Sequence, residues 1–212
     1  MKIMIGIAAF VVAAGLLAAF GFQSNKAPKD SGSHVGTRPG GVEKSLDITK
    51  ANLKPGNDFA IFAAGCFWGV EERFRHIPGV VATAVGYIGG TTKNPTYEQV
   101  CNKDTGHAEA VLIEFDTSKI AYAALVDFFF KNHNPTTMNR QGPDYGSQYR
   151  SAIFFKDDKQ KATASKAIAQ LNKSKFDGKI VTEVVKAPEF WMAEAYHQQY
   201  SEKNGIAACP IR

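Results

Sequence analysis

Phe59-Ala60-Ile61-Phe62-Ala63-Ala64-Gly65-Cys66-Phe67-Trp68-Gly69-Val70-Glu71-Glu72-Arg73-Phe74-Arg75-His76 is the stretch that decides the fold. Its first six residues are apolar without a break, as in a buried strand, and Gly65 ends the run. Beyond it Val70 and Phe74 lie four apart with charges between them, and Pro78 closes the pattern. That spacing predicts a short helix from Cys66 to His76. Working outward, Val80 to Tyr87 reads as a second strand and Ala108 to Phe115 as a third. Lys93 to Gly106 between them is loop-like, with a helical turn around Tyr97. Asp116, Thr117 and Ser118 offer N-cap side chains for a helix from Ile120 to Asn132. A polar loop from Asn134 to Gly146 leads to a fourth strand, Ser151 to Phe155, and an amphipathic helix, Lys156 to Lys173. Ile180 to Lys186 reads as the last strand, and Glu194 to Lys203 as partly helical. Strand, helix, strand, strand, helix, strand is the order of a split βαβ unit. The expected class is α+β: a ferredoxin-like core with a mixed sheet, extra helices and a long irregular C-terminal segment.

The chain has 212 residues, a formal charge of +5 and three cysteines. Its length fits one domain plus appendages. The Lys and Arg residues are scattered, so the basic stripe of a nucleic-acid binder is missing. Three cysteines are too few for a disulfide-stapled secreted fold. Ile3 to Phe22 is apolar throughout and follows Lys2. That pattern fits a cleaved secretory signal and, at about 20 residues, a retained membrane anchor equally well. Residues 23–55 begin with a stretch rich in Ser, Gly, Pro and Lys and read as a flexible linker and N-terminal extension. The catalytic domain is then 56–212, and the expected location is exported: periplasm or cell envelope.

Cys66 sits where the buried strand passes into the helix. Backbone N–H groups and the positive end of the helix dipole favour thiolate there, the nucleophilic form. Phe67 and Trp68 follow it and cannot both face the core, because helix neighbours point apart. One of them should line a pocket suited to a small apolar group. Glu109 lies at the mouth of the third strand, beside His107. Asp144 and Tyr149 lie in the Gly-rich approach to the fourth strand, and Tyr97 in the Asn94-Pro95-Thr96-Tyr97 loop. Together these would give a thiol, an acid and two hydroxyl donors. Cys209 lies near the C-terminus, where a mobile thiol can reach a second one. His107 reads as a satisfied structural histidine, and Cys101 as a bystander.

Gly65-Cys66-Phe67-Trp68-Gly69, Asn94-Pro95-Thr96-Tyr97, Gly106-His107-Ala108-Glu109 and Gly146-Ser147-Gln148-Tyr149-Arg150-Ser151 resemble the A-type peptide-methionine sulfoxide reductases. Asn132-His133-Asn134-Pro135 and His197-Gln198-Gln199-Tyr200 extend the similarity across the domain, roughly Phe59 to Cys209. The resemblance implies that Cys66 attacks the sulfoxide sulfur while Glu109 protonates its oxygen, helped by Tyr97 and Tyr149. It implies that Phe67 and Trp68 hold the methyl group and that Asp144 orients the site. Cys209 would resolve the Cys66 sulfenic acid as a disulfide, to be reduced by thioredoxin or an exported thioredoxin-like dithiol. The implied substrate is methionine S-sulfoxide, in oxidised proteins or free. No metal or organic cofactor is implied, and a monomer is expected. Some members relay the disulfide to a second C-terminal cysteine, whereas this chain ends Cys209-Pro210-Ile211-Arg212. Three other readings use parts of the same set: a two-cysteine peroxidase, a Cys66–His107 hydrolase, and an envelope interaction module with an incidental thiol.

Overall fold

The computed structural model describes the backbone of residues 45–46 and the whole of residues 53–102 and 104–206. In chain order the elements are β1 (Ser45–Leu46), β2 (Asn57–Ala64), α1 (Phe67–Arg75), β3 (Val80–Ile88), α2 (Tyr97–Asn102), β4 (Ala108–Asp116) and α3 (Tyr122–Lys131). A small hairpin, β5 (Arg140–Gln141) and β6 (Asp144–Tyr145), precedes a single 3₁₀ turn at Ser147–Tyr149. Then come β7 (Ser151–Phe155), α4 (Asp158–Leu171), β8 (Glu183–Lys186), β9 (Phe190–Met192) and α5 (Tyr200–Lys203).

The main sheet runs β1-β9-β3-β4-β2-β7-β8. Its inner four strands, β3-β4-β2-β7, pair antiparallel throughout. The strands joined by α1, β2 and β3, are separated by β4. Those joined by α3, β4 and β7, are separated by β2. This is the split βαβ arrangement. Strand β8 adds parallel to β7 and makes the sheet mixed.

The unbroken apolar run of β2 follows from burial on both faces. Ala60 and Phe62 turn toward the helices, where Phe74 of α1 and Phe129 of α3 close on Phe62 with ring centroids 5.4 and 5.1 Å away. Phe59, Ile61 and Ala63 face the other way, into a second cluster with Leu112, Phe154 and Phe190.

Several boundaries differ from the sequence expectation. Helix α3 starts at Tyr122 with Ala121 before it and no side-chain cap. Asp116 instead binds the N–H and hydroxyl of Ser118, closing a turn before the helix begins. Helix α4 stops at Leu171 and widens into a π turn over Asn172–Phe176. Of Glu194 to Lys203, only Tyr200–Lys203 is helical.

Strand β9 was not foreseen, since three residues are too short for a period of two to register. It exists because Gly86 lets it lie close. A Cβ on Gly86 would stand 2.3 Å from the Trp191 carbonyl and 2.5 Å from the Phe190 ring. Where β9 ends, the side-chain amide of Gln198 takes over the edge of β3. It accepts from Val85 N at 2.8 Å and donates to the Val85 carbonyl at 3.0 Å.

Strand β1 pairs with β9 from within the stretch read as linker. The segments 1–22 and 23–44, read as export signal or anchor and as linker, lie outside the described residues, as does Cys209. Among the described residues no helix is long and apolar enough to cross a membrane.

Gly86→Ala should cost on the order of 2 kcal/mol through overpacking and lift β9 from the sheet. Chemical denaturation of the two proteins checks this, and an unchanged midpoint would contradict it.

Candidate active site

The site forms where β2 passes into α1. Gly65 makes the turn with φ +96°, a conformation strained for any side chain. A Cβ there would also stand 2.6 Å from Cγ of Gln141. The space it leaves lets Gln141 fold inward and bind both the N–H and the carbonyl of Asn134. The hairpin carrying Asp144 is thereby seated beside the junction.

Cys66 occupies the N-cap of α1 and is half-buried. The backbone N–H groups of Trp68 and Gly69 favour its thiolate. They are outweighed. Burial first, then the Glu109 and Asp144 carboxylates, push the thiol up to about 12. The thiolate preference expected from the helix terminus is therefore corrected: Cys66 rests as a thiol.

Glu109 projects from β4 toward α1 and is 1 % exposed. Its Oε2 accepts from Phe67 N at 3.0 Å. Burial, opposed by that hydrogen bond and reinforced by Asp144, raises its carboxyl to about 8. Near neutral pH it is mostly protonated and able to donate. Since thiolate and carboxylate repel, the two groups titrate as a pair.

Of the two aromatics after Cys66, Phe67 is buried at 1 % exposure and Trp68 is half-buried at the surface, the split expected of helix neighbours. Tyr200 stacks on Trp68 with centroids 3.9 Å apart and planes 12° apart. Tyr97 opens α2, and its ring lies 6.4 Å from those of both Phe67 and Trp68. Tyr97 and Tyr149 both interact with the Cys101 thiol. Cys101 is thus no bystander in space: it lies between the two phenols, and burial raises its thiol.

His107 is buried and fully engaged. Its Nδ1 accepts from Gly90 N at 3.1 Å and its Nε2 donates to the Thr92 carbonyl at 2.7 Å. Neither ring nitrogen is left for Cys66, which removes the hydrolase dyad.

The sequence motifs therefore assemble Cys66, Glu109, Asp144, Tyr97, Tyr149, Phe67 and Trp68 around one strand–helix junction. The family profile described as peptide methionine sulfoxide reductase matches residues 58–212. The chain belongs to the peptide methionine sulfoxide reductase family. A curated family relative, the peptide methionine sulfoxide reductase MsrA of Methanosarcina acetivorans, is 57% identical over 165 residues, covering 77% of this chain and 87% of that protein. Mxr1 from Saccharomyces cerevisiae, solved in reduced form, matches with a TM-score of 0.71 and 35% identity, over 76% of this chain and 94% of that one. Mxr1 in complex with Trx2 matches with a TM-score of 0.51 and 25% identity, over 76% and 93%.

Three residues near the site carried no sequence-level role: Glu194, His197 and Tyr200. Their shared spacing of three was the available signal, although that segment is largely non-helical. Among the described residues no cluster of His, Cys, Asp and Glu suits a metal ion.

Glu109 also ties stability to pH. Its folded value, about 8, exceeds the ordinary 4.5, so the unfolded chain releases this proton first as pH rises. The stability it provides is full below about 4.5 and is lost by about 8, on the order of 4 kcal/mol. Glu109→Gln should gain stability relative to the wild type between pH 5 and pH 9, read from denaturant midpoints. Parallel pH dependence in the two proteins would contradict this.

Proposed function

We propose that the chain is a thiol-dependent reductase of methionine S-sulfoxide, in oxidised proteins and as the free amino acid. The observation that carries it is the buried, protonated carboxyl of Glu109 bound to the first N–H of the helix that Cys66 caps. A sulfoxide oxygen leaves only when protonated, and a carboxyl group in this environment holds its proton at neutral pH.

The sulfoxide's methyl group rests against Phe67 and Trp68, with its oxygen toward Glu109, Tyr97 and Tyr149. In the free site both phenols lie beside Cys101, within its electrostatic reach. As Glu109 shares its proton with the oxygen, positive charge grows on the substrate sulfur. That charge draws out the Cys66 sulfur as thiolate and offsets its raised pKa. The S–S contact becomes a bond; the oxygen then passes to the Cys66 sulfur, forming a new S–O bond as the substrate S–O bond and the S–S bond break, which leaves Cys66 as sulfenic acid. Glu109 recovers the thiol proton and methionine leaves. Cys209 then attacks the sulfenic sulfur, releasing water and forming the Cys66–Cys209 disulfide. An external dithiol of the thioredoxin type reduces it. The complex of Mxr1 with Trx2 supports such a partner. Lys2 and the apolar stretch Ile3 to Phe22 support export, by signal or anchor, to the periplasm or cell envelope. The reductant there is an exported thioredoxin-like protein.

Methionine formed per enzyme molecule from the separate S and R epimers tests the scheme. Wild type with thioredoxin should turn over the S epimer only, and Cys66→Ser should yield none. Cys209→Ser should yield about one methionine and stall, because its sulfenic acid lacks a resolving thiol. Sustained cycling of Cys209→Ser with thioredoxin would contradict the two-cysteine route.

A further inference from the structure

A buried polar chain that no step above uses runs beside the Cys66 turn. His133 follows the end of α3 and is 6 % exposed. Its Nδ1 lies 2.7 Å from the Phe129 carbonyl and its Nε2 lies 2.7 Å from the Ser151 hydroxyl. Ser151 Oγ is in turn 2.8 Å from the hydroxyl of Thr182, just before β8. A carbonyl only accepts, so Nδ1 carries the proton of the neutral ring and the bare Nε2 accepts from Ser151. That uses the only hydroxyl proton of Ser151, so Thr182 donates to Ser151. Burial first, with Arg73 adding to it, pushes the pKa of His133 down to about 4 and keeps the ring neutral. At neutral pH the chain of donors therefore runs one way, from Thr182 to Phe129.

Both sides of the ring connect to the catalytic junction. Ser151 is the register partner of Ala64, the last residue of β2 before Gly65 and Cys66. Asn134, next to His133 in sequence, is the residue whose N–H and carbonyl Gln141 binds, at 3.0 and 3.1 Å. Gln141 pairs with Asp144 across the hairpin of β5 and β6. The Asp144 charge reaches both Cys66 and Glu109 and raises both. Pro135 is tied to the segment that carries Thr182, since its carbonyl accepts from Val181 N at 2.9 Å. His133 thus stands between the strand that delivers Cys66 and the loop that delivers Asp144. The Phe129 carbonyl keeps a donor without it, Asn132 N at 3.1 Å. The bond to Ser151 is the one that holds the loop against the sheet.

We propose that His133 is a positioning residue: by accepting from Ser151 it holds the Asn134–Gln141 brace that sets the Asp144 carboxylate beside Glu109 and Cys66. The proposal rests on the reductase reading only for the use made of the Glu109 proton. Without the Ser151 bond the loop is released, the Asp144 charge moves away, and Glu109 gives up its proton at lower pH. His133 itself touches no reacting atom.

Carbon-13 NMR titration of Glu109, with and without Asp144→Asn, reads that placement. In the wild type Asp144→Asn should lower the Glu109 midpoint by on the order of half a pH unit, through loss of a like charge. His133→Phe keeps the ring packing against Phe129, at 4.1 Å between centroids, and removes the acceptor. It should lower the midpoint by at least as much, and Asp144→Asn added to it should do nothing further, as expected of coupled sites. His133→Gln brings an amide oxygen toward the Nε2 position and should restore both the midpoint and its response to Asp144→Asn. His133→Asn reaches only the Phe129 carbonyl, as Asn132 does for Phe128 at 2.8 Å, and should behave like His133→Phe. Ser151→Ala removes the donor and takes the place of His133→Phe if that variant fails to fold. A purely structural staple would change stability and leave the midpoint where it is. Equal responses to Asp144→Asn in the wild type and in His133→Phe, no response in the wild type, or equal behaviour of the Asn and Gln variants would overturn the proposal. Absence of methionine from the wild type would instead overturn the reductase reading, with the titration still deciding the role of His133.

Discussion

The hydrogen bond from Phe67 N to Glu109 is the contact on which the rest of the site depends. It joins β4, at the centre of the sheet, to the first turn of α1, and so fixes where Cys66 stands relative to a buried carboxyl. Fully ionised, Glu109 would be poorly solvated there and would repel a thiolate. Protonated, it is an ordinary hydrogen-bonding group with a proton to give. The same burial that makes the carboxyl an acid makes the thiol a reluctant nucleophile. In the proposed reaction this is no contradiction. The substrate sulfur becomes electrophilic only as its oxygen takes the proton, so thiolate forms where and when it is consumed.

The remaining structure holds those two groups in register. Glu71, buried on α1, accepts from Thr83 of β3 and from the N–H of Gln199. Gln198 occupies the edge of β3 beside it. The C-terminal segment is therefore stitched to both helix and sheet. That explains how an irregular stretch presents Glu194, His197 and Tyr200 to Trp68 with fixed geometry.

The core elements were legible in the sequence wherever burial imposes a pattern. The unbroken apolar run of β2 and the Val70–Phe74 spacing of α1 each state which faces are covered. The split of Phe67 and Trp68 between core and surface also followed from helix geometry alone. What escaped was set by partners distant in sequence. Strand β9 exists because Gly86 leaves room for it. The start of α3 moved because Asp116 found Ser118 first. The thiol state of Cys66 depends on carboxylates supplied by β4 and by the Asp144 hairpin, and neither charge is visible in the local sequence. Cys101 looked incidental because its two tyrosine neighbours converge only in the fold.

Carbon-13 NMR titration of the Glu109 side-chain carboxyl in the reduced protein tests the central claim most directly. The account predicts a midpoint near 8, shared in part with the Cys66 thiol. Titration near the ordinary carboxylate value, 4.5, would contradict it, because Glu109 would then hold no proton to give at neutral pH.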